Sequence, residues 1–401
     1  MQQILIVGSG FAGTWAALAA ARAADLAGKT DQVGVTVISP EAALHMRPRL
    51  YEASLEGMAP ALGPLLESVG VRHVAGAVTS IDAGARRVNV ALSGGDSGTL
   101  AYDRLVLATG SQVATPALPG LAAHGFDVDQ LASARALDAH LQRLVARPPS
   151  VARDTVVVIG GGFTGIETAA EMPARLRGIL GPDSHCRVVL IEHAPVLGPE
   201  LGDVPRPHIE SALAICGVEI RTGTAVTAIT ADSVSLADGG QIAAATVIWT
   251  AGMRAHPLAA TIGSGHDKLG RAATDGYLHA LGSDGIFVCG DVARAAADDA
   301  GNVAPMSCQH ALSLGRVAGY NAAAELLGLP LHRYSQPKYV TCLDLGAWGA
   351  LYTEGWDRQV FLTGADGKAL KRQINTEWIY PPKPERGAVF AVANPDYVIV
   401  P

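Results

Sequence analysis

The sequence predicts an α/β protein in which one βαβ plan is used twice in tandem and is followed by a small α+β segment. Three observations predict it. A glycine-spaced turn, Gly8-x-Gly10-x-x-Gly13, follows the apolar run ILIV and opens an alanine-rich stretch that reads as a helix to about Ala24. The same arrangement returns as TVVVIGGGFTG at 155–165, with Gly160, Gly162 and Gly165. The segments after the two turns also echo each other: LLESVGVRHVAGAVTSID (65–82) with ALAICGVEIRTGTAVTAIT (212–230), and YDRLVLATG (102–110) with ATVIWTAG (245–252). Internal similarity at this scale means one supersecondary plan used twice.

Each element has a physical reason. Gly8 permits the tight turn, Gly10 lets backbone approach a pyrophosphate, and Gly13 allows close helix–strand packing, while the helix N-terminus supplies oriented N–H donors. The second unit repeats this, and its next strand, RVVLIEHA (187–194), ends on Glu192. An acid there accepts hydrogen bonds from an adenosine ribose and repels a 2′-phosphate, which favours NADH over NADPH. The bland alternative for Glu192 is a surface carboxylate at a strand end. Each unit therefore reads as a Rossmann-type three-layer dinucleotide-binding domain with a small antiparallel insertion. Two adjacent dinucleotide sites point to one fixed flavin and one exchanging nicotinamide.

Composition narrows the classes. At 401 residues the chain exceeds one ordinary core. With 49% hydrophobic and 17% charged residues it is globular rather than disordered. A net charge of −7 argues against nucleic acid and weakens docking on an anionic bilayer. The N-terminus enters a strand at once, without a basic-then-apolar leader, and no apolar run approaches the roughly 20 residues of a membrane span. The five cysteines (186, 216, 289, 308, 342) show no C-x-x-C spacing, so neither a disulfide framework nor a zinc site is expected. Reduced thiols and a cytoplasmic location follow. Residues 1–80 contain no cysteine, which leaves no redox disulfide beside the first helix.

The ordered set GxGxxG, ATG, a second GxGxxG, a second TAG and finally GIFVCGD (285–291) resembles the two-dinucleotide-binding-domain flavoprotein reductases over roughly residues 1–330. Within that group, EAALHMRPRLYE (41–52) and VVIGGGFTGIETAAEM (157–172) look like the type II NADH dehydrogenase branch. The resemblance implies a discontinuous FAD-binding domain (1–115 and 270–330), an NAD-binding domain (116–269) and a C-terminal interface or acceptor-side domain (331–401). It places FAD against Gly8, Gly10, Phe11, Ala12, Gly13, Ser39, Pro40, Arg47, Val78, Ala108, Thr109, Gly110, Gly290, Asp291 and Gln309, with Asp291 on the ribityl chain. NADH falls to Gly160, Gly162, Phe163, Thr164, Gly165, Glu192, Ala251 and Gly252. Glu167 would lie at the junction of nicotinamide and flavin, or would simply stabilise the helix dipole as a first-turn carboxylate.

Two departures stand out. Where the family places an acid after the second strand, VTVIS ends on Ser39, with Glu41 two residues later. Arg47 and Arg49 are open to pairing with a pyrophosphate or to ordinary ion pairs, the latter favoured for Arg49. The family's acceptor helix carries A-Q-x-A-x-Q; here Cys308, Gln309, His310, Ala311, Leu312 and Ser313 align with it, so the second glutamine is Ser313. Gln309 and His310 are the expected acceptor-side catalytic residues, His310 as a proton donor or as a hydrogen-bonded pin for the loop. Cys308 reads as packing, with a thiol relay as the alternative, although the sequence offers it no resolving partner.

Beyond residue 331 come strand-like runs, Trp348, Trp356 and Trp378, and prolines 381, 382, 384 and 395 that oppose a long helix. The tryptophans either line an acceptor tunnel or pack at an interface. The resemblance implies an FAD-dependent NADH dehydrogenase that passes hydride from NADH to FAD and electrons to a quinone-like acceptor. An NADH-dependent reductase of a small ferredoxin- or rubredoxin-like protein, or a redox-sensing regulator, is the alternative. No metal is expected; a homodimer is, with loose association at most with the inner face of the cell membrane.

Overall fold

The computed structural model describes residues 1–398. Its larger sheet has seven strands in the order 286–288, 104–107, 2–7, 33–39, 72–82, 87–92, 97–101. The central strand Gln2–Val7 is fully buried from Ile4 onward and pairs in parallel with Val33–Ser39 on one side and Arg104–Leu107 on the other. Strands buried on both faces read as continuous apolar runs, as ILIV does. Arg72–Asp82 serves two partners: its first residues pair in parallel with Thr36–Ser39, and from Gly76 it pairs antiparallel with Arg87–Leu92 around an irregularity between Val78 and Ser80. The chain returns to this sheet at Ile286–Val288, parallel to Arg104–Leu107.

The second sheet is all parallel, in the order 218–221, 187–191, 155–159, 246–249, 125–126. Around Thr155–Ile159 the neighbours are the counterparts of those around Gln2–Val7, so the duplication read from the sequence is a duplication of topology. The insertions differ. In the first unit the antiparallel strands extend the main sheet, whereas in the second they form a detached three-stranded sheet, 226–229, 233–236 and 241–243.

The helix Phe11–Leu26 lies against the helix Cys308–Leu327. Side chains there are nearly absent for a reason: a Cβ on Gly315 or Gly319 would collide with the carbonyl oxygens of Ala12 and Ala16. Small residues let the two backbones touch, which explains why both helices are alanine-rich.

The C-terminal segment forms an antiparallel sheet (Val340–Asp344, Ala350–Glu354, Gln359–Leu362), a helix Gly364–Gln373, a π-helical turn Ile374–Trp378 and a helix Arg386–Val392. The prolines at 381, 382 and 384 lie between the last two helical pieces. This segment packs on the second unit's helix, Phe163–Leu180, where Gly346 (φ +59°) approaches the Ala170 carbonyl too closely for any side chain. Among the described residues no helix is long and apolar enough to cross a membrane.

Candidate active site

The first glycine loop is a cradle. Gly8 has φ +107°, and a Cβ there would lie 2.5 Å from the Ala108 carbonyl oxygen, so only glycine serves. Gly13 sits against the Gly8 carbonyl, which seats the helix on the strand. Gly10 is the helix N-cap, has no side-chain cap, and faces open space. Its helix therefore starts with unclaimed N–H donors. Phe11 and Ala12, in the first turn, are buried. Ala108 donates its N–H to Val7 (2.9 Å), and Gly110 follows with φ +70°. The Thr109 hydroxyl between them is buried and lacks any protein partner.

On the far wall, Gly290 (φ +72°) would bring a Cβ to 2.7 Å from that of Ala12. Asp291 accepts from the Ser111 hydroxyl at 2.6 Å, and Arg47 Nη1 lies 3.8 Å from it while also pairing with Asp129. The uncapped helix, the orphaned Thr109 hydroxyl and the glycine-lined wall all fit a diphosphate-containing cofactor such as FAD.

Ser39 is buried and donates to the Glu41 carbonyl (2.7 Å), with His73 Nε2 at 2.9 Å. The Glu41 carboxylate is turned to His45 (2.6 Å). Pro40 is exposed, and Val78 packs in a core cluster with Ile38. Arg49 makes a two-pronged pair with Glu52 (2.9 and 2.7 Å) and donates to the Tyr380 hydroxyl, so it belongs to the C-terminal interface.

The second loop repeats the first. Gly160 has φ +110°, with Ala251 N 2.9 Å from its Cβ position. Gly165 sits against the Gly160 carbonyl and the Thr250 hydroxyl. Gly162 is an N-cap without a side-chain cap, so Phe163 and Thr164 open a helix with free donors. Gly252 takes φ +76°. Glu192 is buried: one oxygen accepts from Gly161 N–H (2.7 Å) and the other from Ala194 N–H (2.8 Å). It is thus built into the turn.

Where Phe163–Leu180 meets the C-terminal segment, Glu167 is buried one turn inside the helix, not in its first turn. The reading of it as a dipole-capping carboxylate is therefore corrected. Its Oε1 accepts from Lys371 Nζ (2.7 Å) and Asp344 N–H (3.0 Å), and Lys371 also donates to the Cys342 carbonyl (2.9 Å). The Tyr51 hydroxyl donates to Asp344 Oδ2 (3.1 Å), and Lys368 donates to Asp344 Oδ1 (2.5 Å) from a position one-third exposed. Burial raises the Glu167 carboxyl, and Lys371 pulls in the other direction. At Lys371 burial opposes the charge, but Glu167 and its neighbours outweigh it and lift the pKa above the ordinary lysine range. Burial, with Glu167 and Asp344, keeps the Tyr51 phenol protonated well beyond its usual range.

The acceptor-side helix begins next to this cluster. Ser307 caps it, accepting from His310 N–H (3.4 Å), and its hydroxyl lies 2.9 Å from His310 Nδ1. His310 is fully buried, with Tyr339 and Trp356 rings 5.4 and 6.1 Å away. Its Nε2 has no partner, and burial pushes its pKa down to about 4. Gln309 is half-buried on the first turn, and burial pushes the Cys308 thiol up to about 11. Trp356 stacks on Tyr339 at 4.7 Å; Trp348 packs against the main core and Trp378 is partly buried.

Sequence reasoning missed Lys371, Asp344 and Lys368, and quoted Tyr51 only within a motif. The available signal was KALK, two lysines spaced i, i+3 on one face of a short helix.

Two glycine cradles of one topology, with a buried carboxylate–ammonium pair tying the second one's helix to the C-terminal segment, define an oxidoreductase that uses two dinucleotides. Residues 2–315 match the pyridine nucleotide-disulphide oxidoreductase family, and the chain belongs to it. Family and fold imply binding of a flavin and NADH.

The chain is 47% identical over 399 residues to an NADH dehydrogenase-like protein of Mycobacterium tuberculosis, with 98% of each chain covered. It is 32% identical over 361 residues to a demethylphylloquinone reductase of Synechocystis, covering 87% of this chain and 86% of that one. A type II NADH:quinone oxidoreductase of Staphylococcus epidermidis is 28% identical over 401 residues, with 94% and 95% covered. Among solved structures, NDH2 from Plasmodium falciparum in complex with NADH has a TM-score of 0.75 at 14% identity, with 98% and 97% covered, a likeness of fold.

Proposed function

We propose that this protein is an FAD-dependent NADH dehydrogenase that passes electrons to a quinone-like acceptor. The observation that carries the reading is the buried Glu167–Lys371 pair, which links the helix of the second cradle to the C-terminal segment beside the acceptor-side helix. FAD bound at residues 1–115 and 270–330 supplies a two-electron carrier between NADH and quinone.

The protein's own groups do the rest. Gly160, Gly162, Phe163, Thr164, Gly165, Ala251 and Gly252 form the NADH cradle within 116–269, and Glu192 takes the adenosine ribose. Gly8, Gly10, Phe11, Ala12, Gly13, Ala108, Thr109, Gly110 and Gly290 form the flavin cradle, with Asp291 and Arg47 on its wall and Ser39, Pro40 and Val78 at the adenosine end. Reduction of a quinone consumes protons as well as electrons. Lys371 Nζ holds one against Glu167 Oε1, and the Asp344–Lys368 contact connects that buried site with the surface. Gln309 offers an amide to the acceptor or the flavin edge. The burial and low pKa of His310 suit an uncharged residue that fixes the cap of its helix rather than a titrating donor. Residues 331–401 form the acceptor-side unit and a homodimer contact, and the protein is cytoplasmic, with at most a loose association with the inner face of the membrane.

The test is anaerobic. Bound flavin is reduced with one equivalent of NADH and mixed with a soluble short-chain quinone while flavin absorbance is followed. Rapid reduction and rapid reoxidation are expected; a flavin that stays reduced would sink the quinone reading and leave a protein acceptor or a sensing role.

A further inference from the structure

Arg358 is an oddity of the C-terminal hairpin. It lies in the turn between Ala350–Glu354 and Gln359–Leu362 with φ +56°, a left-handed conformation that non-glycine residues rarely adopt. That turn aims the side chain away from its own sheet and into the second unit. Its guanidinium carbon lies 5.3 Å from the centre of the Phe163 ring and 5.1 Å from that of Tyr339. Nη1 is buried and has no hydrogen-bond partner. A guanidinium held among rings with an unclaimed N–H is an unfinished arrangement, because a buried donor normally finds an acceptor.

What could complete it is given by the position. Phe163 is the first residue of the helix that follows the second glycine loop, and the N-cap, Gly162, contributes no side chain. One anionic group already stands there. Glu200, in the turn Pro199–Leu201, brings Oε1 to 2.9 Å from where a Cβ on Gly162 would be. Glu200 and Arg358 both act electrostatically on Tyr339, in opposite directions, so both charges converge on this corner. An exposed carboxylate over a helix N-terminus is favourable but weakly held. A diphosphate is the stronger claimant for the same donors, and a planar guanidinium fork matches it in geometry.

We propose that Arg358, carried by the C-terminal hairpin, is a diphosphate-binding residue of the second nucleotide site, and that Glu200 holds the diphosphate position until NADH displaces it. The inference rests on the reading of the second glycine loop as the NADH cradle and adds to it a binding residue from outside both dinucleotide-binding units. It also gives the strained backbone of residue 358 a purpose: the αL turn is what turns the fork toward the loop.

The experiment is a calorimetric titration of the flavin-loaded protein with ADP-ribose, NADH and adenosine, on wild type, R358Q, R358K and E200Q. R358Q is expected to weaken ADP-ribose and NADH about 10- to 100-fold, the scale of a lost charge-assisted contact, and adenosine less than about twofold. R358K, which keeps the charge and most of the stem but not the fork, should fall between, and it carries the test if R358Q does not fold. E200Q should tighten ADP-ribose a few-fold.

Wild-type affinity for ADP-ribose in both Arg358 variants would overturn the proposal and reduce the residue to hairpin packing. An equal loss for adenosine would overturn it too, since the damage would then not be specific to phosphate. Failure of the wild-type protein to bind ADP-ribose or NADH would instead defeat the reading of the cradle on which the inference rests.

Discussion

The two dinucleotide-binding units share a topology and differ in how a later piece of chain closes each of them. The helix of the first unit, Phe11–Leu26, is covered by Cys308–Leu327 mainly through bare backbone, Gly315 and Gly319 against Ala12 and Ala16, with a single buried charge, Arg316, over the Trp15 ring and no carboxylate paired with it among the described residues. The helix of the second, Phe163–Leu180, is covered by the C-terminal segment, and there the contact contains a buried ion pair, Glu167 with Lys371, and a carboxylate, Asp344, shared by Tyr51 and Lys368. The contrast separates two duties. An apolar seam suits a cofactor that stays; a seam of ionisable groups is costly to bury and makes sense where protons must be held near the chemistry.

Breaking the charged seam should have the largest effect. Lys371→Met leaves the Glu167 carboxylate buried without its cation and should cost about 3–5 kcal/mol in denaturant unfolding. The double change E167Q/K371M, which removes both charges, should recover most of that stability while reoxidation of the flavin by quinone stays slow. Recovery of both together would mean that the pair is structural and not part of acceptor reduction.

Next in size is an acid sensitivity that belongs to the acceptor-side helix of the first unit. His310 has its pKa lowered from about 6.5 to about 4 by burial, so the folded protein prefers the neutral ring. Its contribution to stability is full above the unfolded-state pKa and is lost as pH falls through the folded-state value. Between pH 6.5 and 4 that amounts to on the order of 3 kcal/mol. Unfolding titrations across this window should show the loss, and His310→Gln should flatten that part of the profile even if it lowers stability overall.

The apolar seam gives a sharper pair of substitutions because the chemistry is the same and the sign is opposite. Gly319→Ala drives a methyl into the Ala16 carbonyl and should destabilise by about 1–3 kcal/mol and loosen bound flavin. Gly178→Ala, on an exposed face of the second unit's helix with nothing within 4 Å, should stabilise by about 0.5–1 kcal/mol. Thermal unfolding followed by flavin fluorescence checks both. Equal behaviour at the two sites would mean that the close backbone contact at Gly319 does not hold the first seam together.

Much of this was legible in the sequence, for physical reasons. The glycine spacings announce both cradles because a pyrophosphate and a close helix leave no room for Cβ, and the parallel strands announce themselves because they are apolar on both faces. The repeat gave the matching strand order around Gln2–Val7 and Thr155–Ile159. The charged cluster was legible only in part: Glu167 could be placed from its motif, but Asp344 and Lys371 lie 177 and 204 residues further along, and the lysine spacing in KALK does not say which carboxylate it meets. His310 shows the opposite case: its position on the acceptor-side helix could be read, but its burial depends on Tyr339 and Trp356, which only the tertiary fold brings over it.

The smallest expected effect concerns a position where the duplicated plans differ in chemistry, the end of the second strand of each unit. Glu192 accepts once on each oxygen from the turn, from Gly161 and Ala194, and keeps lone pairs for a ribose, while Ser39 offers a hydroxyl already engaged with the Glu41 carbonyl and His73. A carboxylate there both shapes the loop and repels a 2′-phosphate, whereas a serine does neither as strongly. Glu192→Gln should therefore weaken NADH binding by about tenfold, roughly 1.4 kcal/mol, and narrow the gap between NADH and NADPH. Ser39→Ala should change flavin retention by no more than a few-fold. Titration of the two nucleotides against E192Q, together with the flavin content of S39A after dialysis, measures the asymmetry directly. Loss of flavin from S39A on the scale of the nucleotide loss in E192Q would show that the first cradle depends on its strand-end residue as much as the second does, and that the apolar seam alone does not hold the cofactor in place.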